Sequence, residues 1–149
     1  MIKENLRGKK LLLVGGLNNT VDLIELAHRN GVSVGVADYN QRTLAKKLAD
    51  YAYDIDAYDE DAMADLCQKE QFDGVITAFN ERLGPVVRKL ADRLGMYAPF
   101  TVEQLQMSTN KKFFKHTCQQ YGVPVPKEYD IRSVKDIYSG HIEFPVIVK

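Results

Sequence analysis

Gly15 and Gly16 close an apolar run at 11–14 and lead into Asn18, Asn19 and Thr20, a pattern with two chemical readings. Glycines before a helix N-terminus can offer backbone N–H groups to an anion. They are equally the tight turn that any strand-to-helix connection needs. Asp38 stands 23 residues after Gly15, close to the spacing of the acid that binds a ribose hydroxyl in nicotinamide enzymes. The glycines read Gly-Gly-Leu-Asn-Asn-Thr rather than GxGxxG, however, so the third close-approach glycine is missing. That argues against a dinucleotide site. Asp54, Asp56, Asp59, Glu60 and Asp61 could suggest a cation site. The bland reading, an acidic loop favourably placed at a helix N-terminus, fits them better. Cys67 and Cys118 lack CxxC spacing and read as buried free thiols of a reducing cytosol. His28, His116 and His141 are scattered and read as surface or packing residues.

The elements that must position these groups alternate regularly. Residues 9–14 form an apolar strand of the kind buried on both faces, ending at Gly15-Gly16. Asn18, Asn19 and Thr20 can cap a helix running to about Asn30, where Gly31 stops it. Strands are predicted at 32–38, 51–55 and 74–78, with helices at 43–49 and 60–70 between them. Leu83, Val87, Leu90 and Leu94 recur at steps of four, three and four, an amphipathic stripe for one more helix. Strands separated by helices imply parallel pairing through right-handed crossovers, hence an α/β, Rossmann-like open sheet. Ligands of such sheets sit beyond the carboxyl ends of the strands. That rule places Gly15, Gly16, Asp38, Asn80 and Glu81 along one rim.

Past Gly95 the rhythm changes. Thr101 with Gln104 makes a capping box, and Phe100 with Leu105 a hydrophobic staple. A second helix starts near Thr109 or Asn110 and runs to Tyr121. Gly122 ends it, and Pro124 and Pro126 hold the backbone extended. Ser133 with Asp136 predicts another short helix, and residues 144–149 read as a closing strand. The organisation expected is a Rossmann-like domain over 1–98, connecting helices over 99–122, and the start of a further lobe over 123–149.

Composition narrows the function classes. The 149 residues are 45% hydrophobic, enough for one sizeable core and the beginning of another. Twenty basic residues balance twenty acidic ones, so binding led by nucleic-acid phosphates or an anionic membrane surface is not expected. Apolar stretches are too short to span a bilayer, and no charged segment followed by an apolar one opens the chain. A cytoplasmic location is expected.

The most specific pattern lies in 110–149. Asn-Lys-Lys-Phe-Phe-Lys, then Tyr121-Gly122-Val123-Pro124-Val125-Pro126, then Phe144-Pro145-Val146-Ile147-Val148-Lys149 resembles the ATP-grasp superfamily. Its members include biotin carboxylase, the large subunit of carbamoyl phosphate synthetase and the carboxylate–amine ligases. The Rossmann-like part resembles the domain that precedes the ATP-grasp fold in those enzymes. The resemblance implies that Lys111 and Lys149 contact the phosphates of ATP, where fixed positive charge offsets the β and γ oxygens. Asn110 replaces the usual Asp ahead of the first lysine, and both residues cap helices well. Lys112 and Lys115 are then solvated.

The resemblance also implies that Gly15, Gly16, Asn80 and Glu81 serve the second-substrate site, with Glu81 placed to meet an amine. It implies an enzyme using ATP and Mg²⁺ on small carboxylate and amine substrates, with the Mg²⁺ ligands outside this chain. The chain is then a fragment that needs the remainder of the enzyme. Alone, it is expected neither to hydrolyse ATP nor to bind it tightly. Its closing strand, left without partners, should double back on 125–131 or pair with another copy, making a homo-oligomer. Two rivals are weaker. The oxidoreductase reading lacks the glycine fingerprint. A phosphoacceptor receiver needs paired acids after its first strand, where this chain has Gly15, Gly16 and Leu17.

Overall fold

The computed structural model describes residues 6–138 and 140–147. The chain divides into two compact units, Met1–Phe113 and Phe114–Lys149. In the first, the strands are β1 (Lys10–Val14), β2 (Ser33–Ala37), β3 (Tyr51–Tyr53) and β4 (Gly74–Ile76). The helices between and after them are α1 (Val21–Arg29), α2 (Leu44–Leu48), α3 (Glu60–Glu70), α4 (Gly84–Leu94) and α5 (Val102–Thr109). The sheet is wholly parallel in the order β3-β2-β1-β4, as the alternation predicts.

Alternation along β1 explains the two layers of helix. Successive side chains of a strand point to opposite faces. Leu12 and Val14 join one core with Met63, Leu66 and Cys67 of α3 and Val87 and Leu90 of α4. Leu13 joins the other with Val34 and Val36 of β2, Ile24 and Ala27 of α1, and Ala45 of α2. The stripe at Leu83, Val87 and Leu90 is therefore a packing face.

Element ends follow their caps. Thr43 accepts from the Lys46 N–H to start α2, and Asp59 accepts from the Ala62 N–H to start α3. Thr101 and Gln104 form the predicted capping box of α5. The start of α1 differs from expectation. Asn18–Thr20 make a one-turn 3₁₀ helix, and no side chain caps α1 itself, because the Thr20 hydroxyl donates backwards to the Leu17 carbonyl at 2.6 Å.

The second helix after Gly95 is α6 (Lys111–Gln120), opened by Asn110, whose Oδ1 accepts from the N–H groups of Lys112 and Phe113. The unit boundary falls within it. In the second unit, α7 (Val134–Ile137) carries the predicted capping box of Ser133 and Asp136. None of its described residues is fully buried. Residues 144–147 are not a strand, which corrects the expectation for them, while residues 148 and 149 lie outside the described residues. The segment just before does double back: the Glu143 N–H donates to the Tyr129 hydroxyl at 3.0 Å, and Lys127 pairs with Glu143 at 3.2 Å. A side-chain tether replaces the expected ladder.

Both cysteines are free thiols, but only Cys67 is buried; Cys118 is half-buried. Burial pushes the Cys67 thiol up to about 11. A neutral thiol with no access to reagent is inert. A disulfide reagent near pH 8 should therefore modify Cys118 alone in the native protein and Cys67 only after denaturant is added. Rapid reaction of both thiols would show that the α3 core opens readily.

Candidate functional site

The carboxyl ends of all four strands converge on one cavity of about 630 Å³. Its lining comes from the turn after β1 (Gly15, Gly16, Leu17, Asn18), the loop after β2 (Asp38–Thr43 positions 38–40, 42 and 43), the loop after β3 (Asp56, Ala57, Tyr58) and the turn after β4 (Asn80, Arg82, Leu83). Order β3-β2-β1-β4 puts the reversal of strand order between β1 and β4, where open α/β sheets form their ligand crevices.

Asp38 organises this floor. Its Oδ2 accepts from the Gly16 N–H at 2.6 Å, its Oδ1 from the Asn40 N–H at 2.7 Å, and its carbonyl from Lys46 Nζ at 2.6 Å. Lys46 also pairs with Asp54 at 2.6 Å, although its side chain is only 4% exposed against 54% for Asp54. The loop after β2 is thereby tied to β1 on one side and to the end of β3 on the other.

These bonds change what the glycines can do. The Gly15 N–H donates to the Ala37 carbonyl at 2.8 Å and the Gly16 N–H to Asp38, so neither is free for an anion. The tight-turn reading of Gly15-Gly16 accounts for both. Gly15 has φ of 88°, and a Cβ on Gly16 would lie 2.7 Å from Thr43 Oγ1. Asp38 in turn has both carboxylate oxygens on backbone amides rather than presented to a ribose.

Asn80 and Glu81 part company. Asn80 caps the 3₁₀ turn Glu81–Leu83 through the Arg82 N–H and lines the main cavity. Glu81 lines a separate hollow of about 270 Å³ with Asn80, Thr77, Phe79, Gly84, Phe100, Leu105 and Ser108. Phe79, between β4 and this turn, has φ of 60° and is 70% exposed. A bulky residue held in the left-handed region stores strain of the kind that gathers at ligand sites. The Thr77 hydroxyl in the same hollow is buried without a hydrogen-bond partner.

Lys111 is exposed at the first position of α6 and lines neither hollow. Lys149 lies outside the described residues. The acidic stretch is used structurally: Asp54 holds Lys46, Asp56 accepts from the Tyr58 N–H, Asp59 caps α3, Glu60 pairs with Lys89 and Asp61 with Arg93. Among the described residues no three His, Cys, Asp or Glu side chains gather to hold a metal, and no helix is long and apolar enough to cross a membrane. Sequence reasoning passed over Arg42, Arg82, Tyr39 and Tyr58, which carry no motif and are brought in by the loops.

No protein-family profile matches the sequence, and no curated protein matches it. Solved structures do match the fold. An L-amino acid ligase from Bacillus licheniformis aligns with a TM-score of 0.74 at 19% identity, over 93% of this chain and 35% of that one. N5-carboxyaminoimidazole synthetase from Staphylococcus aureus, complexed with ADP, aligns at 0.71 and 20% identity, over 89% and 34%. The fold is that of the N-terminal domain of ATP-grasp ligases. A third such neighbour, N5-carboxyaminoimidazole ribonucleotide synthetase from Thermotoga maritima, aligns at 0.63 and 24% identity, over 80% and 32%. The chain thus spans about a third of the length of these ATP-grasp enzymes.

Proposed function

We propose that this chain is the opening part of an ATP-grasp ligase, which uses ATP to activate a carboxylate for attack by an amine or another nucleophile. The observation that carries the proposal is the fold shared with the first third of such ligases, joined to the Asn110–Lys111 helix opening. In this reading the cavity at the strand ends takes the second substrate, with Gly15, Gly16 and Asn80 as its floor and wall. Glu81, in the adjoining hollow, is placed to receive an amine.

ATP supplies the phosphoryl group that turns a carboxylate into an acyl phosphate or carboxyphosphate, and Mg²⁺ offsets charge on its phosphates. Lys111 fits a phosphate contact: it is exposed, stands at a capped helix start, and has no ion pair among the described residues. Lys149 is the second phosphate contact of the proposal. The carboxylates that hold Mg²⁺ belong to a part of the enzyme outside this chain.

The test uses the full-length enzyme. With its carboxylate labelled by ¹⁸O, each turnover should transfer one labelled oxygen to inorganic phosphate, because the activated oxygen leaves with the phosphoryl group. Lys111→Ala should lower kcat/KM for ATP by about tenfold or more, the loss of one charge-assisted phosphate contact. Release of unlabelled phosphate, or an unchanged kcat/KM for ATP in the Lys111 variant, would count against this function.

A further inference from the structure

Resting on the reading that brings an amine to Glu81, we infer that the hollow beside it selects a primary amine with a small apolar group and no acid next to the nitrogen. The hollow opens past the end of β4, among the 3₁₀ turn Glu81–Leu83, the start of α4 and residues of α5. Among the described residues that line it, Glu81 alone carries a charge. Arg82, next in sequence, lines the larger cavity and not this one. Arg88, whose guanidinium donates to the Phe100 carbonyl at 2.8 Å, is already paired with Asp92. The Glu81 carboxylate makes no ion pair or hydrogen bond among the described residues.

The acceptors in the hollow suit an ammonium, which has three N–H donors and no acceptor of its own. Glu81 supplies an ionised acceptor, and hydrogen bonds to a charged group are the strong ones. Thr77 Oγ1 is buried without a hydrogen-bond partner, which costs stability until an incoming group supplies one. Ser108 already donates its proton to the Leu105 carbonyl at 3.0 Å, so its hydroxyl has only lone pairs left to offer.

The walls set the rest of the molecule. Phe79, which is 70% exposed, and the half-buried Phe100 and Leu105 present apolar surface. Aromatic rings also attract a cation over their faces. The hollow measures about 270 Å³. A dry cavity of about 150 Å³ is already enough for benzene, so a ring-sized group and its ammonium fit together here. An amino acid is disfavoured by charge. Its carboxylate would stand beside Glu81 with no cation lining the hollow, and the Asn80 side-chain amide is a neutral donor.

The probe is benzylamine, titrated into the 149-residue chain with its methyl groups ¹³C-labelled. Phenylglycine adds a carboxylate beside the same nitrogen, and benzyl alcohol keeps the ring without the charge. Benzylamine should shift the Thr77 and Leu105 methyl resonances saturably, with both controls weaker by about tenfold or more. Glu81→Gln, shown folded by its methyl spectrum, should weaken benzylamine by about tenfold or more. Thr77→Val should weaken it by about threefold or more and leave the urea midpoint unchanged or higher, since no bond within the protein is lost. Three results would overturn the inference: no saturable shift, either control binding as tightly as benzylamine, or full binding by both variants. ADP formation by the full-length enzyme is read separately. Benzylamine binding without that activity sinks the ligase reading; activity without benzylamine binding sinks only this one.

Discussion

Asp54→Ala is expected to destabilise the fold by about 3 kcal/mol, while Lys46→Met, at the other end of the same ion pair, costs about 1 kcal/mol or less. The asymmetry comes from burial. The Lys46 side chain is 4% exposed and that of Asp54 is 54% exposed. Removing Asp54 strands an ammonium in the interior with only the Asp38 carbonyl as partner. Removing Lys46 leaves a carboxylate that water can reach, and Met fills the vacated channel with apolar atoms. Urea unfolding of the two variants beside the parent chain measures both costs. If Lys46→Met were the more damaging, water would have to reach the ammonium, and the account of this network would be wrong.

The other large effect is expected from Leu12→Ala, at about 3–4 kcal/mol. Leu12 is fully buried at the centre of β1, which has strands on both sides and α3 and α4 against the face Leu12 occupies. Removal of its side chain loses transfer energy and opens a cavity that surrounding sheet and helices cannot readily close. Leu26→Ala is the control, since Leu26 is 51% exposed on α1 and should matter by no more than about 0.5 kcal/mol. The urea midpoint should fall sharply for Leu12→Ala with an unchanged slope. Equal costs at the two positions would contradict the assignment of Leu12 to the central core.

The sheet was legible because its two inner strands, β1 and β2, are buried on both faces and read as apolar at 11–14 and in Val34 and Val36. The capping boxes at Thr101 and Ser133 were legible because each pairs with a residue three positions away, whereas the cap expected at Asn18–Thr20 was lost when the Thr20 hydroxyl turned back to Leu17. What escaped was set at a distance. The Gly16–Asp38 bond joins residues 22 apart, and it removes the free N–H on which an anion cradle depended. Lys46 carries no motif, yet Asp54 and the Asp38 carbonyl, each eight residues away, hold its ammonium inside. The apolar run at 144–147 resembles a strand, but a ladder needs a partner that local composition does not supply. Arg42 and Arg82 sit in loops where no periodicity marks them, and only the sheet order brings them to one cavity.

The fastening of Gly16, Asn40 and Lys46 to a single aspartate has a thermodynamic consequence for recognition. A ligand entering the cavity meets a floor whose backbone is preorganised before it arrives. Little conformational entropy should be lost there on binding, so more of each new contact appears as affinity. Association should then be governed by the exposed side chains at the rim, Tyr39, Tyr58, Arg42 and Arg82, and not by folding of the loops. Weakening the Asp38 hub would act in the opposite sense: a ligand would have to order the loops as it bound, and selectivity would decline along with affinity.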